Sequence, residues 1–180
     1  MTALPEGLTQ GTWNLDPAHS EVGFTVRHAG ISKVRGSFGE VSATLEVGES
    51  LEDLKFTATV AIASVDTGNA DRDNHLRSGD FFEAETYPEM TFTTTSVDSK
   101  AITGDLTLHG VTRQVELDYD FEGAITDPFG VYRAGFTGST SISRKDFGLT
   151  WNAALAAGGV LVGDEVKISI EAEFAAPTAA

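Results

Sequence analysis

Apolar side chains return at every second residue through four long stretches, and that period decides most of what this chain can become. In "EVGFTVRH", Val22, Phe24, Val26 and His28 share one face, and Glu21, Gly23, Thr25 and Arg27 the other. In "LKFTATVAI" the apolar set is Leu54, Phe56, Ala58, Val60 and Ile62. "VTRQVELDYDF" sets Val111, Val115, Leu117, Tyr119 and Phe121, interrupted by Arg113, against Thr112, Gln114, Glu116, Asp118 and Asp120. Near the C-terminus Val166, Ile168, Ile170, Ala172 and Phe174 alternate with Lys167, Ser169, Glu171 and Glu173. A helix repeats every 3.6 residues and would scatter these side chains around its axis; a strand repeats every two. One dry face and one wet face per strand is the mark of antiparallel sheet.

Residues 13–16, 34–47, 90–97, 101–109 and 133–143 read as further strands, which brings the total to about eight. The chain is therefore all-β. A closed barrel turns every apolar face inward and leaves no free edge. A two-sheet sandwich meets the same pattern, so periodicity leaves both open. One segment departs from it. "NADRDNHLRSGDFF" is polar and lacks branched residues in its first half, which predicts a short helix from near Asn69 to Gly79. Leu76 is its only large apolar residue, so burial cannot hold it, and it is expected to lie across the sheet as a cover, with Phe81, Phe82 and Tyr87 anchoring its exit.

The 180 residues suffice for one domain with a real core. A formal net charge of -15 opposes nucleic acid, whose phosphates would be repelled. The chain has no cysteine, hence no disulfide and no thiolate chemistry. "MTALPEGLTQ" offers no basic start followed by an apolar run, so a cytoplasmic protein without a signal peptide is expected. The longest apolar run, "AALAAGGVLVG" over 153–163, is too short and too rich in glycine to span a bilayer, so no stable membrane insertion is expected. Residues 1–12 read as an N-terminal extension, 13–174 as the barrel and 175–180 as a flexible tail.

Catalytic signatures are sparse. His19, His28, His75 and His109 include no pair at helical zinc spacing, and no H-E-x-x-H occurs, so no metal site is expected. There is no G-x-S-x-G elbow, P-loop or G-x-G-x-x-G. His19 and Ser20 are adjacent and on a strand would face opposite ways. Nothing singles out one of the 27 acids, and no catalytic residue is assigned.

The inward positions are instead large and apolar. Val22, Phe24 and Val26 come from one strand, Phe56, Val60 and Ile62 from the next, and Phe92, Leu106 and Leu108 from the middle of the chain. Phe136, Ile142 and Ile168 complete the expected lumen. Ten strand residues span roughly 33 Å, and eight such strands can enclose one ligand or simply fill with their own side chains.

Several blocks then carry a resemblance. "WNLDPAHSEVGFTVRH" is followed by "VRGSFG", "HLRSGDFFEAETYPEMTF", "ITGDLTLHGVTRQVEL", "RAGFTGSTSISRKDFG" and "GDEVKISIEAE". In this order and spacing they resemble the YceI-like family of lipocalin-like, polyisoprenoid-binding proteins over nearly the whole chain. The resemblance implies an extended antiparallel lipocalin-like barrel of about eight strands, closed at one end by the helix near His75. It implies a long isoprenoid lipid, polyprenyl or isoprenoid quinone, as partner, held without catalysis and without another cofactor. A homodimer is compatible with it. The family has periplasmic members with signal peptides, and this chain departs from them. Two other functions stay open: an enzyme acting on an isoprenoid or other amphiphile, and a stress-response scaffold with a filled barrel.

One local feature stands against the acidic whole. From Val22 to Gly39 there is no carboxylate, while Arg27, Lys33 and Arg35 are present. Lys33 and Arg35 follow the turn "AGIS", and Arg144 and Lys145 follow the strand ending at Ser143, so both pairs are expected at a barrel rim. Lys33, Arg35 and Arg144 are candidates to receive a ligand head group, since arginine offers phosphate two parallel donors. The plainer alternative is outward pairing with acids such as Glu116 or Glu171. His28 continues the inward face, either as a hydrogen-bonded core histidine or as a head-group donor. Residues 153–163 read either as a short helix packed over the barrel or as an apolar flap.

Overall fold

The computed structural model describes residues 1–177. The strands are β1 (Gly11–Leu15), β2 (Glu21–His28), β3 (Ser32–Phe38), β4 (Val41–Val47), β5 (Lys55–Ala61) and β6 (Val65–Asp66), then β7 (Glu89–Val97), β8 (Ala101–Leu108), β9 (Val111–Thr126), β10 (Tyr132–Ser143) and β11 (Val162–Ala175). One helix, α1 (Ala70–Arg77), sits between β6 and β7.

These pieces make one closed antiparallel barrel of eight strands. The first three pairs are halves of long bent strands. A 3₁₀ turn at Pro17–His19 separates β1 from β2, Gly39 and Glu40 separate β3 from β4, and a 3₁₀ turn at Ile62–Ser64 separates β5 from β6. The stretch 34–47, expected as one strand, is therefore bent in the middle, with β3 on β2 and β4 on β1. β11 closes the ring by pairing with β2 along its first part and with β1 at its end. That closure decides for the barrel over the sandwich.

Inward alternation is kept across the register. Val22, Phe24 and Val26 lie opposite Phe38, Gly36 and Val34, and opposite Ile170, Ile168 and Val166 on the other side. A side chain at Gly36 would overlap the Phe24 ring, so the glycine lets that ring lie flat against the wall. The three-residue β2–β3 turn has positive φ at Ala29 (53°) and Gly30 (71°), and the Ile31 N–H donates back to the His28 carbonyl.

One end is shut. Trp13, fully buried, donates its indole N–H to the Thr9 carbonyl and packs with Leu8, Leu45, Leu51, Leu54 and Phe174. Residues 1–12 take part: Leu8 is buried, and Gly7 accepts from the Tyr132 hydroxyl. Of the tail expected over 175–180, Ala175 is the last strand residue and Ala176 donates to the Tyr132 carbonyl. Residues 178–180 lie outside the described residues.

The other end carries α1. Asn69 caps it by accepting from the Arg72 N–H. It has no apolar face, and polar bonds hold it instead. Buried Asp73 accepts from the Thr67 N–H and hydroxyl, and Arg77 donates to the carbonyls of Ala63 and Val65. The run 153–163 is not a helix, which corrects that reading. Gly158 (φ 91°) and Gly159 (φ 87°) turn it back on itself, Ala154 bridges to Val160, and Asn152 bonds across the base to Val162. Among the described residues no helix is long and apolar enough to cross a membrane.

Candidate functional site

The lumen holds two adjoining cavities. The inner one, of about 150 Å³, lies in the middle of the barrel above the shut end, among Phe56, Val60, Phe92, Leu106, Leu117 and Phe136. The outer one, of about 260 Å³, lies beneath α1, among Phe24, Val26, Leu76, Phe82, Leu108 and Ile142. Val22, Met90 and Ile168 line both and form the waist between them. Both walls are almost wholly carbon. Eleven of the twelve residues expected in the lumen line one cavity or both. Ile62 does not: it begins the 3₁₀ turn that ends β5, and it is buried in the upper core beside Val65 and Phe147. Leu76, Phe81 and Phe82 line the outer cavity from the helix side.

The cover is an aromatic cluster. His75 lies 5.0 Å from Phe81 and 4.8 Å from Trp151 between ring centroids, and Phe81 lies 5.2 Å from Trp151. Nε2 of His75 sits 2.9 Å from Oδ2 of Asp80, which fixes the ring edge-on to its neighbours. Trp151, Leu149, Leu161 and Arg72 also line this cavity and were not singled out in the sequence. They lie in segments without period-two patterning, where strand alternation gives no signal. Tyr87 packs on His109 instead, with ring centroids 4.8 Å apart, and lines neither cavity.

The head-group candidates separate. His28 does line the outer cavity, but it is exposed at the rim rather than held in the core. Lys33 and Arg35 flank inward Val34 and so point outward; both are exposed on the outer face near the open end and line neither cavity, which corrects their expected place facing into the mouth. Among the described residues neither makes an ion pair, so the expected pairing with Glu116 or Glu171 is absent as well. Arg144 is 3 % exposed, and four backbone carbonyls occupy it: Gly163, Leu149, Trp151 and Val162 accept at 2.7, 2.8, 3.0 and 3.2 Å. It lines the outer cavity as a pin for the 149–163 loop, not as an open anion receptor. Burial draws its guanidinium below the ordinary value, and the Asp164 charge opposes that.

At the bend between β1 and β2 the fold gathers charge that the sequence did not predict. Asp16, His19 and Glu173 place ligand atoms within 4.8 Å of one another. Arg133 already lies 2.7 Å from Asp16 and 3.9 Å from Glu173, so its guanidinium supplies the positive charge there.

Comparison with known proteins agrees with this architecture. The family described as the YceI-like domain matches residues 13–174. A UPF0312 protein of Staphylococcus epidermidis is 40 % identical over 164 residues, covering 90 % of this chain and 96 % of its own. The crystal structure of the Campylobacter jejuni YCEI protein is 35 % identical, covers 91 % of this chain and 97 % of its own, and superposes with a TM-score of 0.69. Two more distant structures share the fold. Burkholderia cenocepacia BcnA has 23 % identity, a TM-score of 0.74 and coverage of 88 % and 98 %. A polyisoprenoid binding domain from Saccharophagus degradans, implicated in plant cell wall breakdown, has 19 % identity, a TM-score of 0.72 and coverage of 92 % and 98 %.

Proposed function

The chain belongs to the YceI-like family, and from that membership we propose that it binds a long-chain isoprenoid lipid, of polyprenyl or isoprenoid-quinone type, in the barrel lumen, and carries or sequesters it unchanged. The observation that carries this reading is the pair of adjoining apolar cavities along one closed barrel. A slender hydrocarbon fits that shape, with its inner part in the dry middle chamber and its outer part beneath α1. The polyisoprenoid binding domain of Saccharophagus degradans, which shares the fold, supports the choice of ligand class.

The energetics need no polar contact in the lumen. A chain of about 25 carbons at roughly 0.3 kcal/mol per heavy atom gives about 7 kcal/mol, or micromolar affinity. The polar end of such a lipid belongs at the outer mouth, where Arg72, His75 and His28 stand among the lining residues. The reading calls for no cofactor. An enzyme using the lumen as a reaction chamber needs an acid or base inside it. Two histidines line the outer cavity, His28 exposed at its rim and His75 hydrogen-bonded to Asp80 in the cover, and among the described residues none lines the inner chamber.

Native mass spectrometry followed by organic extraction is the direct test, with a purified polyprenol titrated into any protein found at its bare mass. We expect one lipid per barrel. We also expect a change in tryptophan emission, because Trp151 lines the outer cavity while Trp13 is sealed at the shut end. A bare mass together with no response to polyprenol would overturn the proposal in favour of a scaffold.

A further inference from the structure

The outer end of the barrel carries an apolar lip whose exposed tips, Ile31 and Val160, line neither cavity. Two loops form it: the β2–β3 turn around Ala29, Gly30 and Ile31, and the glycine-turned hairpin over 153–161. They are joined where the Ala29 N–H donates to the Leu161 carbonyl at 2.7 Å, next to the pairing of His28 with Val162. Ile31 is 85 % exposed and Val160 51 %, two of the few large apolar side chains left in water. The stretch 153–163 holds no charged residue at all. Leu161, Val162 and His28 also line the outer cavity, so the lip is continuous with its wall.

Behind the lip stands a group of cations. Arg27 and Lys33 lie directly opposite one another across the β2–β3 ladder, with Arg35 and Lys167 on either side of Thr25 one register step away. Like charges facing each other across strands are destabilising, and among the described residues no carboxylate comes within 4 Å of them, although Asp164 and Glu165 lie in the adjoining β11 bulge. Among the described residues Arg27, Lys33, Arg35 and Lys167 make no ion pair. The nearest acids in sequence are engaged elsewhere: Asp164 accepts from the Ser143 hydroxyl and the Lys145 N–H, and Glu165 from the Ser141 hydroxyl. In a chain of net charge -15 the four cations still gather on one outer face, beside the acids of the β11 bulge.

We propose that this lip docks the open end of the barrel on a lipid bilayer bearing anionic head groups. Ile31 and Val160 enter the interface, and Arg27, Lys33, Arg35 and Lys167 sit at head-group level. Apolar tips backed by cations are the arrangement that binds such surfaces. The acidic remainder of the molecule does not forbid it. The acids of the shut end lie roughly 40 Å away along strands of about twelve residues, several Debye lengths of about 8 Å in physiological salt, and those that share the open end, Asp71 and Asp80 about α1, weaken the docking without removing the apolar tips. A second copy of this chain fits less well, because a lip-to-lip contact sets the same cations against each other. Arg27 borders the outer cavity, but Ile31, Val160, Lys33, Arg35 and Lys167 line neither cavity, so the proposal holds whatever the lumen carries.

Flotation with vesicles of phosphatidylcholine, with and without phosphatidylglycerol and containing no prenyl lipid, tests it. The wild-type protein is expected to float with the anionic vesicles at low salt, to be released at high salt, and to ignore pure phosphatidylcholine. Ile31→Ser with Val160→Ser, and separately Arg27→Gln with Lys33→Gln, are each expected to weaken binding about tenfold or more. Phe129→Ser, at the equally exposed turn of the shut end, is expected to change nothing. All of these residues are exposed, so the variants should melt with the wild type. Failure of the wild type to float, or equal loss in Phe129→Ser, overturns the proposal. So does a dimer in size-exclusion chromatography that Ile31→Ser dissolves while vesicle binding is absent, which would make the lip a self-association surface. Polyprenol titration of the same variants reads lumen binding separately, so either proposal can fail without the other.

Discussion

Two side chains set the width and the lid of the lumen. Phe24 lies flat because Gly36, its cross-strand partner, has no Cβ for the ring to strike. Gly36→Val is expected to push the ring into the outer cavity, at a stability cost of about 1–3 kcal/mol, and to weaken polyprenol binding about tenfold. Isothermal titration against the wild type measures it. Arg144 is expected to act through the loop it holds. Arg144→Met leaves carbonyls of Leu149, Trp151, Val162 and Gly163 without their donor and should cost about 3 kcal/mol. Amide exchange should then rise across 149–163. If Arg144 is only a pin, the variant loses affinity equally for a prenyl phosphate and for an uncapped prenyl chain. A selective loss for the phosphate would restore a head-group role.

Among the elements, the bend between β1 and β2 is the one that pH should reach. The hydrogen bond that His19 donates to Asp16, then the charges of Asp16 and Glu173, raise His19 above its ordinary 6.5. The hydrogen bond with His19, helped by the Ala18 N–H and Arg133, lowers Asp16 below 3.8. A raised histidine contributes in full below 6.5 and stops contributing as pH rises through its folded value. A lowered carboxylate contributes in full above 3.8 and stops as pH falls through its folded value. Protection of the backbone around 14–21 is therefore expected to be greatest between these two limits, and His19→Gln should abolish its decline on the alkaline side. Hydrogen exchange across that pH range checks it. How much of this was legible follows from what alternation can and cannot encode. The period of two placed the inward faces of the long strands, and Asn69 with Gly79 bracketed α1. The same parity, followed through Val26 and Val34, already turns Lys33 and Arg35 outward. Ile62 kept the parity of its strand but sits where the chain leaves the strand for a 3₁₀ turn. The Asp16, His19, Arg133 and Glu173 cluster joins residues from three distant segments, and no local pattern records such a meeting.

At the scale of the whole molecule, one closed barrel keeps two chambers apart by a waist of Val22, Met90 and Ile168. The shut end, with Trp13 and the N-terminal residues packed into it, gives the inner chamber a floor. With that floor in place, the proposed lipid would enter from the α1 end, and its length would be set by how far past the waist it reaches. Met90 is buried, unbranched and flexible, so it yields to a passing chain more readily than a rigid ring would. Met90→Trp is expected to shut the waist while leaving the outer chamber open. A long prenyl chain then loses the contacts of about ten carbons. At roughly 0.3 kcal/mol per atom that is about 3 kcal/mol, or about a hundredfold in affinity. A short prenyl chain, which needs only the outer chamber, should bind the variant and the wild type alike. Titrating a series of prenyl alcohols of rising length into both proteins separates the outcomes. Wild-type affinity should climb with length until the floor is reached, and the variant should level off early. Curves that run parallel would mean that the ligand does not cross the waist and that the inner chamber belongs to the core.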